Sequence, residues 1–334
     1  MGTVVPIVDI SGFDGDEHDR QRVVDAVAEA CAAVGFVTIV GHSVSQAVID
    51  GAWDTARSFF DLPDEEKRCV MSPAVGYPYG FAPLAHETLA LSLGQQTPPD
   101  LKEAYVVGPL ARPHRPPRDA DEASVYSANL WPDDSLPGLR PAWEAYFRAM
   151  ADLAQRLLQL RGGTEAAPSH FDPLIDRHTS AMRALDYPPV GAATLPGQLR
   201  AGAHTDYGTL TILLQEERPG GLEVRGPHGD WQPVPAVPGG FVVNLGDAME
   251  RWTNDRWRST LHRVVLPPPD AGPTARRQSI AFFHNANWDA VIECIPTCLA
   301  PGESPAHPPI EAGPHLMAKF RSTVGAPSPV GCSR

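Results

Sequence analysis

Apolar residues recur at helical spacing in three stretches of the first half of the chain. The stretches are residues 20–34, residues 45–60, and a helix that opens at Pro141 and closes before Gly162–Gly163. Their apolar positions are Val23, Val27, Cys31 and Val34, then Ile49, Trp53, Ala56 and Phe60, then Trp143, Phe147, Met150, Ala154, Leu157 and Leu158. Shorter apolar runs at 4–10 and 36–40 predict strands, so this half is mixed.

The pattern changes to short β-type runs from about residue 181. The predicted strands are 182–187, 210–215, 222–225, 241–244, 260–265, 279–284 and 291–295, and a short helix follows at 315–323. Many short strands separated by turns are typical of a double-sheet jelly roll or a related barrel. Residues 72–138 are rich in proline, glycine and polar residues, and they predict either a lid or a surface loop.

The pattern predicts a mainly β fold with α-helical decoration in one domain, residues 1–334. Its expected parts are a mixed helical part at 1–180, a jelly-roll core at 181–300 and a C-terminal segment at 301–334. Neither an internal repeat nor a linker interrupts the sequence.

Charge and cysteine content narrow the function classes. The formal net charge is −13, which disfavours binding to nucleic acid. No apolar run reaches the roughly 18 residues of a membrane span, and the N-terminus lacks the features of a signal peptide. The five cysteines are an odd number, as expected of reduced thiols. These features predict a cytoplasmic protein that binds neither nucleic acid nor membrane, and no obligate protein partner is evident in the sequence.

The first candidate for chemistry is a histidine–carboxylate pair. His204 and Asp206 stand at i and i+2 at the start of a β-type run, where side chains two apart share a face. His262 lies on a later predicted strand that can return beside the first. Two histidines and one carboxylate are the facial triad of non-haem Fe(II) oxygenases, which leaves positions open for an oxoacid and O₂.

A second candidate motif follows His262 along the chain. Arg277 and Ser279 also stand at i and i+2, at the start of the apolar run that ends near Phe283. A guanidinium matches a carboxylate through two parallel hydrogen bonds, and a neighbouring hydroxyl adds a third. The pair therefore predicts a carboxylate-binding clamp.

With these motifs the chain resembles the 2-oxoglutarate/Fe(II)-dependent oxygenases of the isopenicillin N synthase-like group, over nearly its whole length. Besides the two motifs, the resemblance rests on segments 5–9, 35–44, 59–67, 100–103, 187–189, 243–247 and 251–255. The strongest of these is 243–247, Val-Asn-Leu-Gly-Asp, with the Arg-Trp-Thr-Asn-Asp of 251–255 after it.

The resemblance implies a distorted double-stranded β-helix (jelly roll) with iron in its mouth. It implies that His204, Asp206 and His262 bind Fe(II), and that Arg277 and Ser279 hold the distal carboxylate of 2-oxoglutarate. Tyr187 matches a tyrosine that bonds this co-substrate, although the family's asparagine two residues earlier is a leucine here. The implied activity uses O₂ to hydroxylate, desaturate or cyclise a small organic substrate, releases succinate and CO₂, and belongs to secondary metabolism.

Four residues are candidates for substrate contacts: Arg183, Tyr207, Phe283 and Trp288. Arg183 shares a strand face with Tyr187 and could meet a substrate carboxylate or pair with a neighbour. The others are aromatic side chains near the motifs, where packing is the alternative role.

Two alternative functions stay open at this point. One is an oxidase of isopenicillin N synthase type, in which the Arg277–Ser279 clamp holds the substrate's own carboxylate and 2-oxoglutarate is not used. Such a synthase has a glutamine near its C-terminus as an extra iron ligand, and residues 319–334 contain none. The other is an inactive jelly-roll binding module, which the intact triad and clamp disfavour.

Overall fold

The helices carry the apolar stripes predicted from the sequence. This computed structural model describes residues 4–74, 76–160, 169–189 and 194–323. Its α-helices in those ranges are α1 (Glu17–Ala33), α2 (Gln46–Phe60), α3 (Asp64–Arg68), α4 (Ala120–Val125), α5 (Leu139–Gln159), α6 (Asp172–Ile175), α7 (Asp247–Trp252) and α8 (Ala312–Thr323). The three long helices of the first half are confirmed, and so is the terminal helix. The glycine pair predicted to end α5 lies outside the described residues.

The strands form a large sheet, a small sheet and a two-stranded ribbon. They are β1 (Ile7–Asp9), β2 (Phe36–Val40), β3 (Gly80–Ala82), β4 (Glu103–Val107), β5 (Ala181–Tyr187), β6 (Ala201–His204), β7 (Leu210–Gln215), β8 (Leu222–Arg225), β9 (Trp231–Pro233), β10 (Phe241–Leu245), β11 (His262–Val264), β12 (Arg277–His284), β13 (Val291–Ile292) and β14 (Ile310–Glu311). The large sheet has the order β1-β2-β10-β7-β12-β5-β4-β3, the small sheet has the order β6-β11-β8-β9, and β13 pairs with β14. The predicted mainly β jelly roll with helical decoration is confirmed.

The two faces of strand β12 differ: one packs in the hydrophobic core, and the other carries the candidate clamp. Ile280 and Phe282 belong to the main hydrophobic core, and the Phe282 ring meets Phe147 of α5 edge to face at 5.0 Å between centroids. Because side chains alternate along a strand, Arg277 and Ser279 point to the other face, towards the small sheet. The helices therefore cover one side of the large sheet, and the candidate clamp residues of β12 lie on the other side.

Two apolar clusters join the large sheet to the small one. One contains Phe36 and Val242 from the large sheet with Leu222 and Val224 from β8. The other contains Tyr187 of β5 with residues of β6 and β11, Ala201 and Val264. The two sheets are therefore held together at two places, one around Phe36 and one around Tyr187.

Residues 72–138 are more regular than predicted. They contain β3, β4 and α4, together with a 3₁₀ helix at Leu89–Leu93. Tyr79 and Phe81 are buried; the Tyr79 hydroxyl donates to the Val125 carbonyl, and the Phe81 ring packs against Phe59. This part of the segment is core structure. Strands β1 to β4 extend the same sheet as the strands after residue 181, and the division at 180 and 300 stays a prediction.

Four of the five cysteines lie in the described residues. Cys31, Cys69, Cys294 and Cys298 are free thiols, and Cys332 lies outside the described residues. Among the helices in the described ranges, none combines the length and the apolar character that crossing a membrane requires.

Candidate active site

His204 and His262 meet because β6 and β11 pair antiparallel. His262 lies opposite His204, and Val264 lies opposite Ala201, so the register shifts by one residue between the two pairs. A bulge of this kind places two residues of one strand against one of the other and re-aims the side chain that follows. His204 therefore shares the inner face with Ala201, which regular alternation along β6 would not allow.

Asp206 completes a cluster of three potential ligands. Its Oδ1 lies 4.0 Å from His204 Nε2 and 3.8 Å from His262 Nε2. The two imidazole ring centroids are 4.3 Å apart. The sequence predicted that His204 and Asp206 share one strand. That is wrong, because His204 ends β6 and Asp206 lies in the connection to β7.

Backbone carbonyls determine which nitrogen of each imidazole is free. His204 Nδ1–H donates to the Gly202 carbonyl at 2.7 Å, and His262 Nδ1–H donates to the Thr260 carbonyl at 3.0 Å. A ring nitrogen that donates to a carbonyl carries the proton, so in the neutral imidazole the other nitrogen has a free lone pair. Both Nε2 atoms are therefore available as ligands towards Asp206.

The second carboxylate oxygen of Asp206 is held by two side chains of the large sheet. Thr211 Oγ1 donates to Oδ2 at 2.5 Å, and Asn244 Nδ2 donates to it at 2.6 Å. Thr211 and Asn244 are paired residues of β7 and β10. Oδ1 is consequently left to face the histidines. Asn244 therefore directly orients a candidate ligand.

The electrostatics keep the carboxylate charged and His204 neutral. Burial lowers the pKa of His204 below its ordinary value, and the neighbouring His262 lowers it further. Burial alone would raise the pKa of Asp206, but the histidines and the bonds from Thr211 and Asn244 outweigh it and hold the pKa below its ordinary value. A carboxylate beside two histidine side chains is a donor set for a divalent cation.

The spacing of the three ligand atoms fits a single ion. All three lie within 4.8 Å of one another. Two atoms bound to one ion at about 2.1 Å each can be at most about 4.2 Å apart, which the two distances from Asp206 Oδ1 satisfy. With only three protein ligands, the rest of the coordination sphere is open to other molecules.

The predicted clamp lies on the same inner face of the large sheet. Arg277 is paired with Tyr187 of β5, and Ser279 is paired with Leu185 and with Gln215 of β7. Arg277 Nη2 donates to Gln215 Oε1 at 2.7 Å, and its guanidinium lies 5.3 Å from the centre of the Tyr187 ring.

The clamp has the polar groups that an anion requires. Ser279 Oγ is buried and makes no hydrogen bond within the described ranges. Burial lowers the pKa of the Arg277 guanidinium, which forms no ion pair with a carboxylate of the described residues. A cavity of about 340 Å³ reaches Arg277 and is also lined by Gln215, Gly220 and Val265. A buried hydroxyl without a hydrogen bond among the described residues, beside a guanidinium that forms no ion pair with them, fits a carboxylate ligand.

Two of the predicted substrate contacts lie beside the triad. Phe283 is half-buried on the clamp face of β12, and its partner in β7 is Thr211, which bonds Asp206. Tyr207 follows Asp206 and meets α8: Lys319 Nζ lies 5.9 Å from the centre of its ring, and the Phe320 ring packs edge-on at 5.8 Å. The terminal helix therefore covers the loop that carries the candidate ligands.

Arg183 forms an ion pair with a neighbour, the second of the two roles considered for it. Its Nη2 donates to Glu87 Oε1 at 2.6 Å. Lys102 Nζ lies 2.9 Å from the same Glu87 oxygen and 2.8 Å from Asp100 Oδ2. Asp100 Oδ1 in turn accepts the Gly202 N–H at 2.9 Å, which links this cluster to the strand of His204.

Trp288, the fourth predicted substrate contact, is packed against helix α8. Its side chain is buried, with only 1% exposed, and its ring lies against Gly313 in α8, where an added Cβ would come within 2.3 Å of it. This contact is helix packing and leaves no room for a larger residue at position 313. Trp288 is not among the residues that the structure brings to the triad or the clamp.

Sequence reasoning missed several groups that hold the site. Thr211, Gln215 and Asn244 orient the predicted residues, and Glu87 pairs with Arg183. Thr211 and Gln215 lie two apart from Leu213 on β7, so strand alternation could have assigned them to one face. That this face is the clamp face depends on the neighbouring strands, which the sequence does not reveal.

The family comparisons cover most of the chain. The profile of the non-haem dioxygenase in morphine synthesis, N-terminal region, matches residues 5–134, and that of the 2OG-Fe(II) oxygenase superfamily matches residues 178–286. The 2-oxoglutarate-Fe(II) type oxidoreductase hxnY of Emericella nidulans is 34% identical, over 97% of this chain and 91% of its own length. Validamycin A dioxygenase of Streptomyces hygroscopicus subsp. limoneus is also 34% identical, over 94% of this chain and 85% of its own length.

Solved structures share the fold over nearly the full length. The full-length Neurospora crassa protein crystallised with alpha-KG and thymine is 29% identical with a TM-score of 0.83, over 96% of this chain and 97% of its own. A rice dioxygenase for auxin oxidation is 25% identical with a TM-score of 0.72, and covers 95% of both chains.

Asn244→Ala should weaken metal binding. The change removes one of the two hydrogen bonds that orient Asp206, and loss of such an outer partner typically lowers metal affinity about 10- to 100-fold. Anaerobic titration with Fe(II) or Co(II) measures the affinity. Asn129→Ala is a matched control, because the amide it removes bonds the backbone of Gly108. An affinity equal to that of the unmodified protein would show that Asn244 does not orient the carboxylate.

His315→Gln should make stability less dependent on pH. Burial, with the charges of Lys319 and Arg251, lowers the pKa of His315 from 6.5 to about 4. Between these values the unfolded chain binds a proton that the folded chain does not. The free energy of unfolding therefore decreases as the pH is lowered from 6.5 towards 4, by up to about 1.4 kcal/mol per pH unit. Urea unfolding at pH 7.5, 6 and 5 should give a shallower fall in the variant. The exposed His228→Gln should behave as the unmodified chain; equal slopes for all three would contradict the prediction.

Proposed function

Because this chain belongs to the 2OG-Fe(II) oxygenase superfamily, we propose that His204, Asp206 and His262 hold its iron, and that Arg277 and Ser279 bind its 2-oxoglutarate. The convergence of Oδ1 and two Nε2 atoms at one point carries this proposal. Tyr187 is the further proposed contact for the co-substrate, on account of its ring beside Arg277.

The activity is that of an Fe(II)- and 2-oxoglutarate-dependent dioxygenase, with O₂ as the oxidant. Relatives similar over most of their length are named 2-oxoglutarate-dependent dioxygenases, and the Neurospora crassa neighbour was crystallised with alpha-KG. This family membership favours the dioxygenase over both alternatives, the oxidase that does not use 2-oxoglutarate and the inactive module. The cytoplasmic location and the setting in secondary metabolism stay predictions.

The chain's own residues would prepare the metal site before any substrate arrives. The carbonyls of Gly202 and Thr260 hold both imidazoles with Nε2 towards the metal position. Thr211 and Asn244 restrain one oxygen of Asp206, so that one carboxylate oxygen is left for the metal. Because these groups are already in place, little reorganisation is needed when the ion binds.

The clamp would orient the co-substrate. Arg277 would pair with its distal carboxylate, and Ser279 Oγ would donate a hydrogen bond that it makes to no described residue in this structure. Bound iron and 2-oxoglutarate supply the oxidising power, with succinate and CO₂ as products. The protein's part is to hold these groups and the substrate in register and to keep bulk water away.

Anaerobic protein with Fe(II) should develop a weak visible charge-transfer band when 2-oxoglutarate is added. His204→Ala should abolish the band, because one of three iron ligands is lost. Arg277→Ala should require at least about tenfold more 2-oxoglutarate, since a charged hydrogen bond is worth about 1.5–3 kcal/mol. Arg148→Ala, on the exposed side of α5, is the control.

Two outcomes of this experiment would contradict parts of the proposal. Iron binding without a band would sink the clamp assignment and revive the oxidase that does not use 2-oxoglutarate. A full band in His204→Ala would remove that residue from the iron site.

For the substrate, we propose that Arg183, Glu87, Tyr207 and Phe283 form its contact surface. Arg183 lies on the same strand face as Tyr187, and the two aromatic residues flank Asp206 and Thr211. Arg183 and Lys102 are balanced by Glu87 and Asp100, so the cluster has no surplus positive charge. The charges of Arg183 and Lys102 outweigh the effect of burial and hold the pKa of Glu87 well below its ordinary value.

This neutral cluster favours an uncharged substrate group. A guanidinium beside a carboxylate offers a donor and an acceptor together, which complements an amide, a cyclic imide or a hydroxyl next to a carbonyl. A free carboxylate on the substrate would be repelled by Glu87. The thymine bound by the Neurospora crassa neighbour is an uncharged molecule of the favoured kind, which supports the proposal.

Succinate release should therefore be stimulated by uncharged substrates that carry such a group. Arg183→Met should raise the KM for them about tenfold or more, because a hydrogen bond to a charged group is lost. The matched control is Arg177→Met, an arginine with an exposed side chain paired to Asp289. The proposal fails if the substrates prove to be carboxylates whose KM is the same in Arg183→Met and in the unmodified enzyme.

A further inference from the structure

Arg200 is a buried cation without a counter-ion. Its side chain is fully buried, and it forms no ion pair with any carboxylate of the described residues. Its partners are neutral: Nη1 donates to the carbonyls of Pro219 and Gly220, and Nη2 donates to those of Pro188 and Ala275. Its Nε–H is buried with no partner there. Burying a charge in this way is costly unless something offsets it.

The four carbonyls belong to segments that surround the proposed clamp. Pro188 follows Tyr187, and Ala275 precedes Arg277 by two residues. Gly220 lines the cavity of about 340 Å³ that reaches Arg277. Arg200 therefore ties together three segments that border the proposed position of the distal carboxylate.

Arg200 is also close enough to Arg277 for their charges to interact. The Arg200 guanidinium lies 5.7 Å from the centre of the Tyr187 ring, and that of Arg277 lies 5.3 Å from the same ring. Burial, and after it the charge of Arg277, lower the pKa of Arg200 to about 10, so it is still a cation at neutral pH. Arg277 thus lines the cavity and Arg200 lies close to it. Neither forms an ion pair with a carboxylate of the described residues, although Glu216 and Glu217 line the same cavity and their charges act on Arg277.

We propose that Arg200 is a positioning residue that, through its charge, makes the site select an oxoacid with a second, distal carboxylate. This inference rests on the proposed function of Arg277. Arg277 supplies the hydrogen bonds to that carboxylate, and Arg200 adds a long-range attraction in a dry part of the protein, where charges are poorly screened. The other possible role of Arg200 is a neutral brace for the three segments.

Two ligands and two variants distinguish the effect of the Arg200 charge from a purely structural effect of its hydrogen bonds. The ligands are 2-oxoglutarate and 2-oxovalerate, a five-carbon oxoacid that lacks the distal carboxylate. Arg200→Lys keeps the charge and loses most of the carbonyl hydrogen bonds, whereas Arg200→Gln keeps a donor and loses the charge. Kd is measured on anaerobic Fe(II)-loaded protein from the charge-transfer band, and Arg148→Gln is the control.

Arg200→Gln should raise the Kd of 2-oxoglutarate about tenfold, and Arg200→Lys should raise it by much less. The Kd of 2-oxovalerate should change less than about twofold in both variants. An equal rise for the two oxoacids, or an equal effect of Lys and Gln, would mean that Arg200 is only a brace and would overturn the proposal.

A measurement that leaves Arg200 intact covers the case in which its variants do not fold. If Arg200 contributes charge, Arg277→Gln should still bind 2-oxoglutarate several-fold more tightly than 2-oxovalerate. Complete loss of that preference would overturn the proposal for Arg200 alone. Failure of the unmodified protein to bind 2-oxoglutarate would instead overturn the proposed function and this inference together.

Discussion

The antiparallel pairing of β6 with β11 is the contact on which the candidate active site depends. It sets His204 opposite His262, and the bulge between their neighbours turns His204 to the inner face. Asp206 then follows within two residues, and the sheet opposite supplies Thr211 and Asn244 to hold it. A slip of one residue in this register would turn one histidine outward and leave the carboxylate buried without its neighbours.

The buried regions of the protein differ in their balance of positive and negative side chains. Asp206 is a buried anion beside two histidines, and the charges around Lys102 are balanced. Arg200 and Arg277 form no ion pair with a carboxylate of the described residues. Buried charges without partners are costly, so such places are where ligands of opposite charge are expected. The places proposed for the iron, the co-substrate and the substrate therefore differ in charge, and all lie on one side of the large sheet.

The helices cover one side of the large sheet, and the candidate site lies on the other side. On one side of the large sheet, Phe147 of α5 packs against Phe282 in the main hydrophobic core. On the other side, the apolar clusters around Phe36 and around Tyr187 hold the sheets together at two places and leave the space between them. Helix α8 covers Tyr207, the residue after Asp206, through Lys319 and Phe320.

The sequence by itself determined the fold class and singled out the candidate triad and clamp residues. Helical and β-type periodicities are local, and the triad and clamp residues were identifiable from their types, spacing and order, with a family resemblance as support. Short strands such as β6, with the sequence Ala-Gly-Ala-His, were missed because they have no apolar alternation. Tertiary structure alone decided which faces meet: the bulge that aims His204, the bonds of Asn244 to Asp206, the pairing of Arg183 with Glu87, and the position of Arg200 beside Tyr187. These depend on strands distant in sequence coming together, and local periodicity contains no information about which strands those are.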